Sequence, residues 1–250
     1  MPTSFWGWIV YLWKAYWPLL LKGAWTSLYI SVLGTAIAFV VGLLVAVLRS
    51  IPDPSRQQTA RYWLVRAIKF ILEAYVEIFR GTPLMVQAMV IYYGLMQYAH
   101  IRLPLFVASM VIVGLNTGAY MAEIMRSGIR SVDAGQREAA ASLGMTHWQT
   151  MLCVILPQAI RNVLPSVGNE MVSNVKDTSV LNVIAVSELY FVGKSASGTY
   201  LKFFEVYSII AVMYLIMTFG LSELLERIEK KMIGPENYEL IRNEEDHGRE

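Results

Sequence analysis

The residues of this 250-residue chain best equipped for chemistry are few. Arg80-Gly81-Thr82-Pro83 separates two apolar runs, Asn116-Thr117 sits inside a third, and Glu170 inside a fourth. Their chemistry is recognition rather than bond-making. Thr82 as N-cap and Pro83 at the first helical position form a start signal for a helix over 84–98. The freed N–H groups and the positive end of that helix then point into the fold and suit a carboxylate. Arg80 either adds positive charge there or pairs with Glu77. Asn116 can accept from an ammonium while donating to a carboxylate, although Asn and Thr also serve as interhelical hydrogen-bonding groups. A carboxylate within an apolar run is costly, so Glu170 marks either a site for a positive group or an ion pair with Arg161 or Lys176. Lys176 and Asp177 read as a mutual pair or as part of an outer gate, and Glu123 as a partner of Arg126 or Arg130.

Catalytic patterns are absent. His100, His147 and His247 are scattered, and no HExxH, CxxC or GxSxG occurs. Gly193-Lys194-Ser195 imitates the end of a phosphate loop, but Glu188 stands where its first glycine must be, so no ATP site or other cofactor is expected on this chain.

The elements that must hold these residues follow from an oily composition. Hydrophobic side chains make up 56% and charged ones 16%, outside the range of soluble domains. Cys153 alone excludes a disulfide scaffold, and a net charge of +2 gives no basis for nucleic-acid binding. The expected class is an all-α integral membrane protein in contact with lipid. Residues 25–48 carry no charge and are long enough to cross a bilayer. Residues 104–125 and 206–225 are further spans. Residues 60–79 and 84–98 join into one span broken at Arg80–Pro83, and 157–192 form another interrupted at Asn169-Glu170 and 174–178. The count is five transmembrane helices, two of them interrupted. Lys and Arg gather at Arg49, Arg56, Arg61, Arg66, Lys69, Arg126, Arg130, Arg137, Arg227, Lys230 and Lys231, which puts the N-terminus outside and the C-terminus in the cytoplasm. Residues 1–24 read as an aromatic interfacial segment on the outer side, 25–231 as the membrane domain and 232–250 as a cytoplasmic tail.

The loop 131–157 lies on the basic side. Asp133 is placed to cap a helix over 136–143, Gly144 suits the left-handed residue that ends it, and Thr146 caps a second helix running towards Pro157. Two short helices with a glycine elbow present Ala139 and Ala140 as a small, flat docking surface, or simply fold the loop on itself to satisfy its backbone.

Glu138-Ala139-Ala140, Gly144 and Val154-Ile155-Leu156-Pro157 resemble the EAA loop of permease subunits of bacterial ABC importers. Phe79-Arg80-Gly81-Thr82-Pro83-Leu84, Asn116-Thr117-Gly118-Ala119-Tyr120, Leu156-Pro157-Gln158-Ala159 and Lys176-Asp177-Thr178-Ser179 are similar to its polar amino-acid branch. The resemblance implies a type I ABC importer permease fold in a bacterial inner membrane. It implies pairing with a second copy or close homologue, an ABC ATPase dimer carrying ATP and magnesium, and an extracytoplasmic binding protein delivering an amino acid. On it, Glu138, Ala139, Ala140 and Gly144 couple to the ATPase, while Gly81, Thr82, Asn116, Thr117 and Glu170 meet the substrate. An acid at position 170 suits a cationic or diamino substrate such as arginine, lysine, histidine or cystine. An ion-gradient-driven secondary transporter is the competing class, since broken helices and a buried acid mark it too; against it stand the few spans and the lack of inverted repeats.

Overall fold

A computed structural model describes residues 2–52 and 59–233, all of whose regular elements are helical. Arg56 and the tail after residue 233 lie outside the described residues. The elements are α1 (Phe5–Arg49), α2 (Thr59–Gly81), α3 (Leu84–Tyr98), α4 (Leu105–Ser131), α5 (Ala134–Ser142), α6 (His147–Thr150), α7 (Leu156–Asp177), α8 (Leu189–Tyr200) and α9 (Phe203–Ile233). A π-helical turn, Met151–Ile155, joins α6 to α7, and a 3₁₀ segment, Thr178–Ile184, extends α7.

Among the described residues four runs are long and apolar enough to cross a membrane: Phe5–Arg49, Leu105–Ser131, His147–Ile184 and Phe203–Met232. The α2–α3 pair is not among them, because α2 carries Arg61, Arg66, Lys69, Glu73, Glu77 and Arg80 and α3 has only 15 residues. The aromatic segment ahead of residue 25 is not a separate element. Ser4 accepts from Gly7 N at 3.1 Å to start α1, which then continues through Pro18 for 45 residues. At about 1.5 Å per residue α1 is about 68 Å long, roughly twice a hydrocarbon core.

The core is built by backbone approach at small residues, as lipid-exposed bundles require. α1 lies along α4 so closely that a Cβ on Gly34 would come 3.2 Å from Val113 Cβ, and one on Gly114 2.9 Å from Ile37 Cγ2. Ile30, Ala108, Ile112, Val113, Leu181 and Ile184 fill the space between α1, α4 and the 3₁₀ segment. At the other end Met125, Ile129, Met151, Ile155, Ala159 and Val163 form a second cluster, which seats the π turn against α4. The wide turn fits Pro157, whose missing N–H removes one rung of the regular ladder.

The second expected interruption falls elsewhere. α7 stays helical through Asn169, Glu170 and Asn174: Asn174 is satisfied by Thr117 and Thr35, while Asn169 and Glu170 face cavities. The chain turns only at Ala185, with φ 64°, before Glu188 caps α8. α8 then packs back on α1 and α9 around Leu12, Leu20, Leu189, Val206 and Ile210.

Candidate functional site

A cavity of about 540 Å³ opens beside the α2–α3 break, lined by Arg80, Gly81, Thr82, Pro83, Leu84, Asn116, Tyr120, Glu170, Ser173 and Asp177. The break occurs where Gly-Thr-Pro places it and α3 spans the expected 84–98, but its cap lies one residue later than expected. Pro83, at ψ 137°, is still extended and occupies the N-cap position. Thr82 does not cap α3; its hydroxyl donates back to Ile78 O at 2.8 Å. No side chain caps α3, so the first amides, from Leu84 to Val86, are without helical acceptors, and Leu84 lines the cavity. Gln87 N is the first to close the ladder, onto Pro83 O at 3.1 Å.

The carbonyl side of the break is closed by side chains. Gln87, only 7% exposed, directs Nε2 at Phe79 O (2.8 Å), Thr82 O (2.9 Å) and Thr82 Oγ1 (2.8 Å). Its Oε1 accepts from Asn116 Nδ2 at 2.9 Å, and Asn116 Nδ2 also reaches Phe79 O at 3.3 Å. Asn116 therefore has its donors engaged at the break and keeps its carbonyl oxygen for another partner. Tyr75 ties α2 to α4 by donating to Leu115 O at 2.7 Å. Arg80 does not pair with Glu77; its guanidinium lies over the Tyr120 ring, 5.6 Å from the centroid.

The opposite wall is one face of α7. Glu170, Ser173 and Asp177 are spaced three and four apart, which stacks them along the helix. Glu170 makes no ion pair among the described residues, with Arg161 and Lys176 included. Thr117, adjacent to Asn116, faces away from this cavity. It is buried and donates to Asn174 Oδ1 at 2.9 Å, while Asn174 Nδ2 donates to Thr35 Oγ1 at 2.8 Å. Thr117 is thus part of a closed polar relay between α1, α4 and α7, the interhelical role weighed for it from sequence.

Outside the cavity, Glu123 joins two arginines. It accepts from Arg49 Nη1 at 2.7 Å and from Arg126 Nε at 2.9 Å, which adds α1 to the expected Arg126 pairing. Glu188, significant in sequence only as a residue out of place in a phosphate loop, has 0% exposure. It accepts from Tyr190 N (2.8 Å), Phe191 N (2.7 Å) and the Tyr214 hydroxyl (2.9 Å), fixing α8 to α9. Glutamate is not a usual N-cap residue, so its capping role gave no sequence signal. Gln87 gave none either, since a single glutamine in an apolar run has no period.

The loop between α4 and α7 forms the expected helix–elbow–helix. Asp133 Oδ1 accepts from Gly135 N at 2.8 Å to start α5, Gly144 has φ 74°, and Thr146 with Gln149 forms a reciprocal capping box on α6. The flat alanine surface is corrected in one respect. Ala140 is 3% exposed and packs inward, whereas Glu138, Ala139 and Gly144 are exposed. Leu143, 81% exposed, and Trp148 supply the apolar surface that the alanine pair was expected to provide. Arg137 holds the loop to α4 by donating to Ile129 O at 3.0 Å. Among the described residues no group of three or more His, Cys, Asp or Glu is placed to hold a metal ion.

The chain is similar to known proteins over most of its length. The chain is 39% identical over 224 residues to the glutamine transport system permease protein GlnP of Escherichia coli K12, covering 88% of this chain and 97% of that one. It is 37% identical over 212 residues to the probable glutamine ABC transporter permease protein GlnM of Bacillus subtilis, covering 85% and 92%. A crystal structure of an amino acid ABC transporter with histidines superposes with a TM-score of 0.77 at 36% identity, covering 92% of this chain and 100% of the other. Residues 59–234, which hold the broken helix, the α7 carboxylates and the α5–α6 elbow, match one family model, and the chain belongs to that family, the inner membrane components of binding-protein-dependent transport systems.

Proposed function

We propose that this chain is the translocation subunit of an ATP-driven amino-acid importer and that its cavity binds a zwitterion by two opposed poles. The carrying observation is that one cavity is lined both by the uncapped start of α3 with Arg80 and by Glu170 with Asp177. A helix start with a nearby guanidinium favours an α-carboxylate, and two carboxylates favour ammonium groups. Asn116 lines the same cavity and, with its Nδ2 engaged by Gln87, keeps Oδ1 to accept from the α-ammonium. Two acids exceed the need of one α-ammonium, which supports a substrate with a second positive group, such as arginine, lysine, histidine or cystine. The glutamine-named relatives favour a second reading, in which Glu170 accepts from a neutral side-chain amide.

In this reading α2 and α3 together make a fifth crossing, with the N-terminus outside and the C-terminus in the cytoplasm. The α5–α6 elbow, through Glu138, Ala139, Gly144 and Leu143, meets a separate ATPase dimer that carries ATP and magnesium, and Ala140 holds the elbow in shape. A binding protein supplies the amino acid, and a second permease copy or close homologue completes the path. Competition uptake in proteoliposomes, with labelled L-arginine challenged by lysine, histidine, cystine, glutamine and leucine, tests the substrate class. Competition by cationic and diamino compounds alone supports the first reading, competition by glutamine alone the second, and equal competition by leucine contradicts both.

A further inference from the structure

We propose that Gln87 is a positioning residue that quenches two carbonyls of the α2–α3 break, tilts its electrostatic balance towards the donors and so raises its selectivity for a carboxylate. This rests on reading the cavity as an amino-acid site. Any break in a helix exposes two kinds of backbone group at once, the carbonyls of the turn that ends and the amides of the turn that begins. Left open, the carbonyls of Phe79 and Thr82 would present negative partial charge beside the amides of Leu84 to Val86, and an anion would meet both. Gln87 reduces that conflict. Its Nε2 donates to Phe79 O at 2.8 Å and to Thr82 O at 2.9 Å, while Oε1 takes up Asn116 Nδ2 at 2.9 Å.

The consequence is that the carbonyls of Phe79 and Thr82 are occupied while the first amides of α3 are not, which shifts the balance of the break towards its donors. The same bond turns the Asn116 amide so that its nitrogen faces the break and its carbonyl oxygen is left for a donor. Gln87 does not itself line the cavity, so its effect on a ligand passes through these neighbours. Residues of any other type do this less well. Glutamate keeps the acceptor for Asn116 but loses both donors, and leucine loses everything.

The test is isothermal titration of the purified permease–ATPase complex with L-arginine and L-glutamine and with their α-amides, L-argininamide and L-glutaminamide. In the wild type the free carboxylate is bound more tightly than the amide. Gln87→Leu is expected to weaken the amino acids by about tenfold, the scale of one unpaired buried carbonyl, while changing the α-amides less than about threefold. Gln87→Glu, nearly isosteric, is expected to weaken the amino acids at least as much, and it decides the matter should Gln87→Leu fail to assemble. Equal weakening of acids and amides in Gln87→Glu assigns the residue a merely structural role and overturns the proposal. A wild type that does not prefer the carboxylate instead overturns the reading of the cavity itself.

Discussion

Glu188→Ala should loosen α8 selectively. The carboxylate accepts from two successive amides at the start of α8 and from Tyr214 on α9, and the Ser27 hydroxyl of α1 lies 3.4 Å away. Loss of the cap costs about 1 kcal/mol, and stranding the half-buried Tyr214 hydroxyl adds about 1–2 kcal/mol. The sum of about 2–3 kcal/mol corresponds to a rise of about 30- to 150-fold in the open population of α8. Hydrogen–deuterium exchange of the detergent-solubilised complex reads this directly, with α8 amides (residues 191–200) compared against the α4 segment 110–122. Glu188→Gln, which keeps the size and one accepting oxygen, should accelerate α8 exchange by only about 5- to 10-fold. Acceleration below about threefold in Glu188→Ala, or equal acceleration in α4, would refute the argument that this carboxylate anchors α8.

Other substitutions probe the remaining elements. Glu170→Gln should weaken competition by arginine and cystine about tenfold, the scale of one charge-assisted hydrogen bond, while glutamine changes little; an unchanged order of competitors removes Glu170 from the site. Gly144→Val forces a β-branched residue to φ 74°, at a cost of about 1–3 kcal/mol, and should reduce ATP-driven uptake several-fold with normal membrane insertion by immunoblot. Full uptake in that variant contradicts a coupling role for the elbow. Asn174→Leu breaks the Thr117–Asn174–Thr35 relay and should lower the stability of the solubilised protein by about 1–2 kcal/mol, seen as a lower melting temperature; an unchanged melting temperature shows the relay to be dispensable.

Local chemistry was legible in the sequence at most turns and caps, with Thr82, which bonds back to Ile78 O and does not cap α3, as the exception. The Gly-Thr-Pro break, the Asp133 cap, the left-handed Gly144 and the Thr146 cap all lie where their residue types direct them. What could not be read depends on helix rotation and on distant partners. Asn116 and Thr117 are neighbours about 100° apart around α4, so one faces the cavity and the other the α1–α7 relay. Ala139 and Ala140 divide in the same way between surface and interior. The contacts of Gln87 reach back to Phe79 and forward to Asn116, and Glu188 depends on Tyr214, separations that no local pattern encodes. Asn169, Glu170 and Asn174 suggested a break because their polarity was visible, whereas the partners of Asn174 and the cavities that Asn169 and Glu170 face were not.

The central claim is that ATP hydrolysis on another chain moves an amino acid through this one. Proteoliposomes containing this permease with its ATPase, loaded with ATP and magnesium and supplied with the binding protein, measure it most directly. Uptake that needs ATP and both partners, and that persists after proton and sodium gradients are collapsed, is the predicted result. Uptake by this chain alone, driven by an ion gradient and indifferent to ATP, would contradict the account.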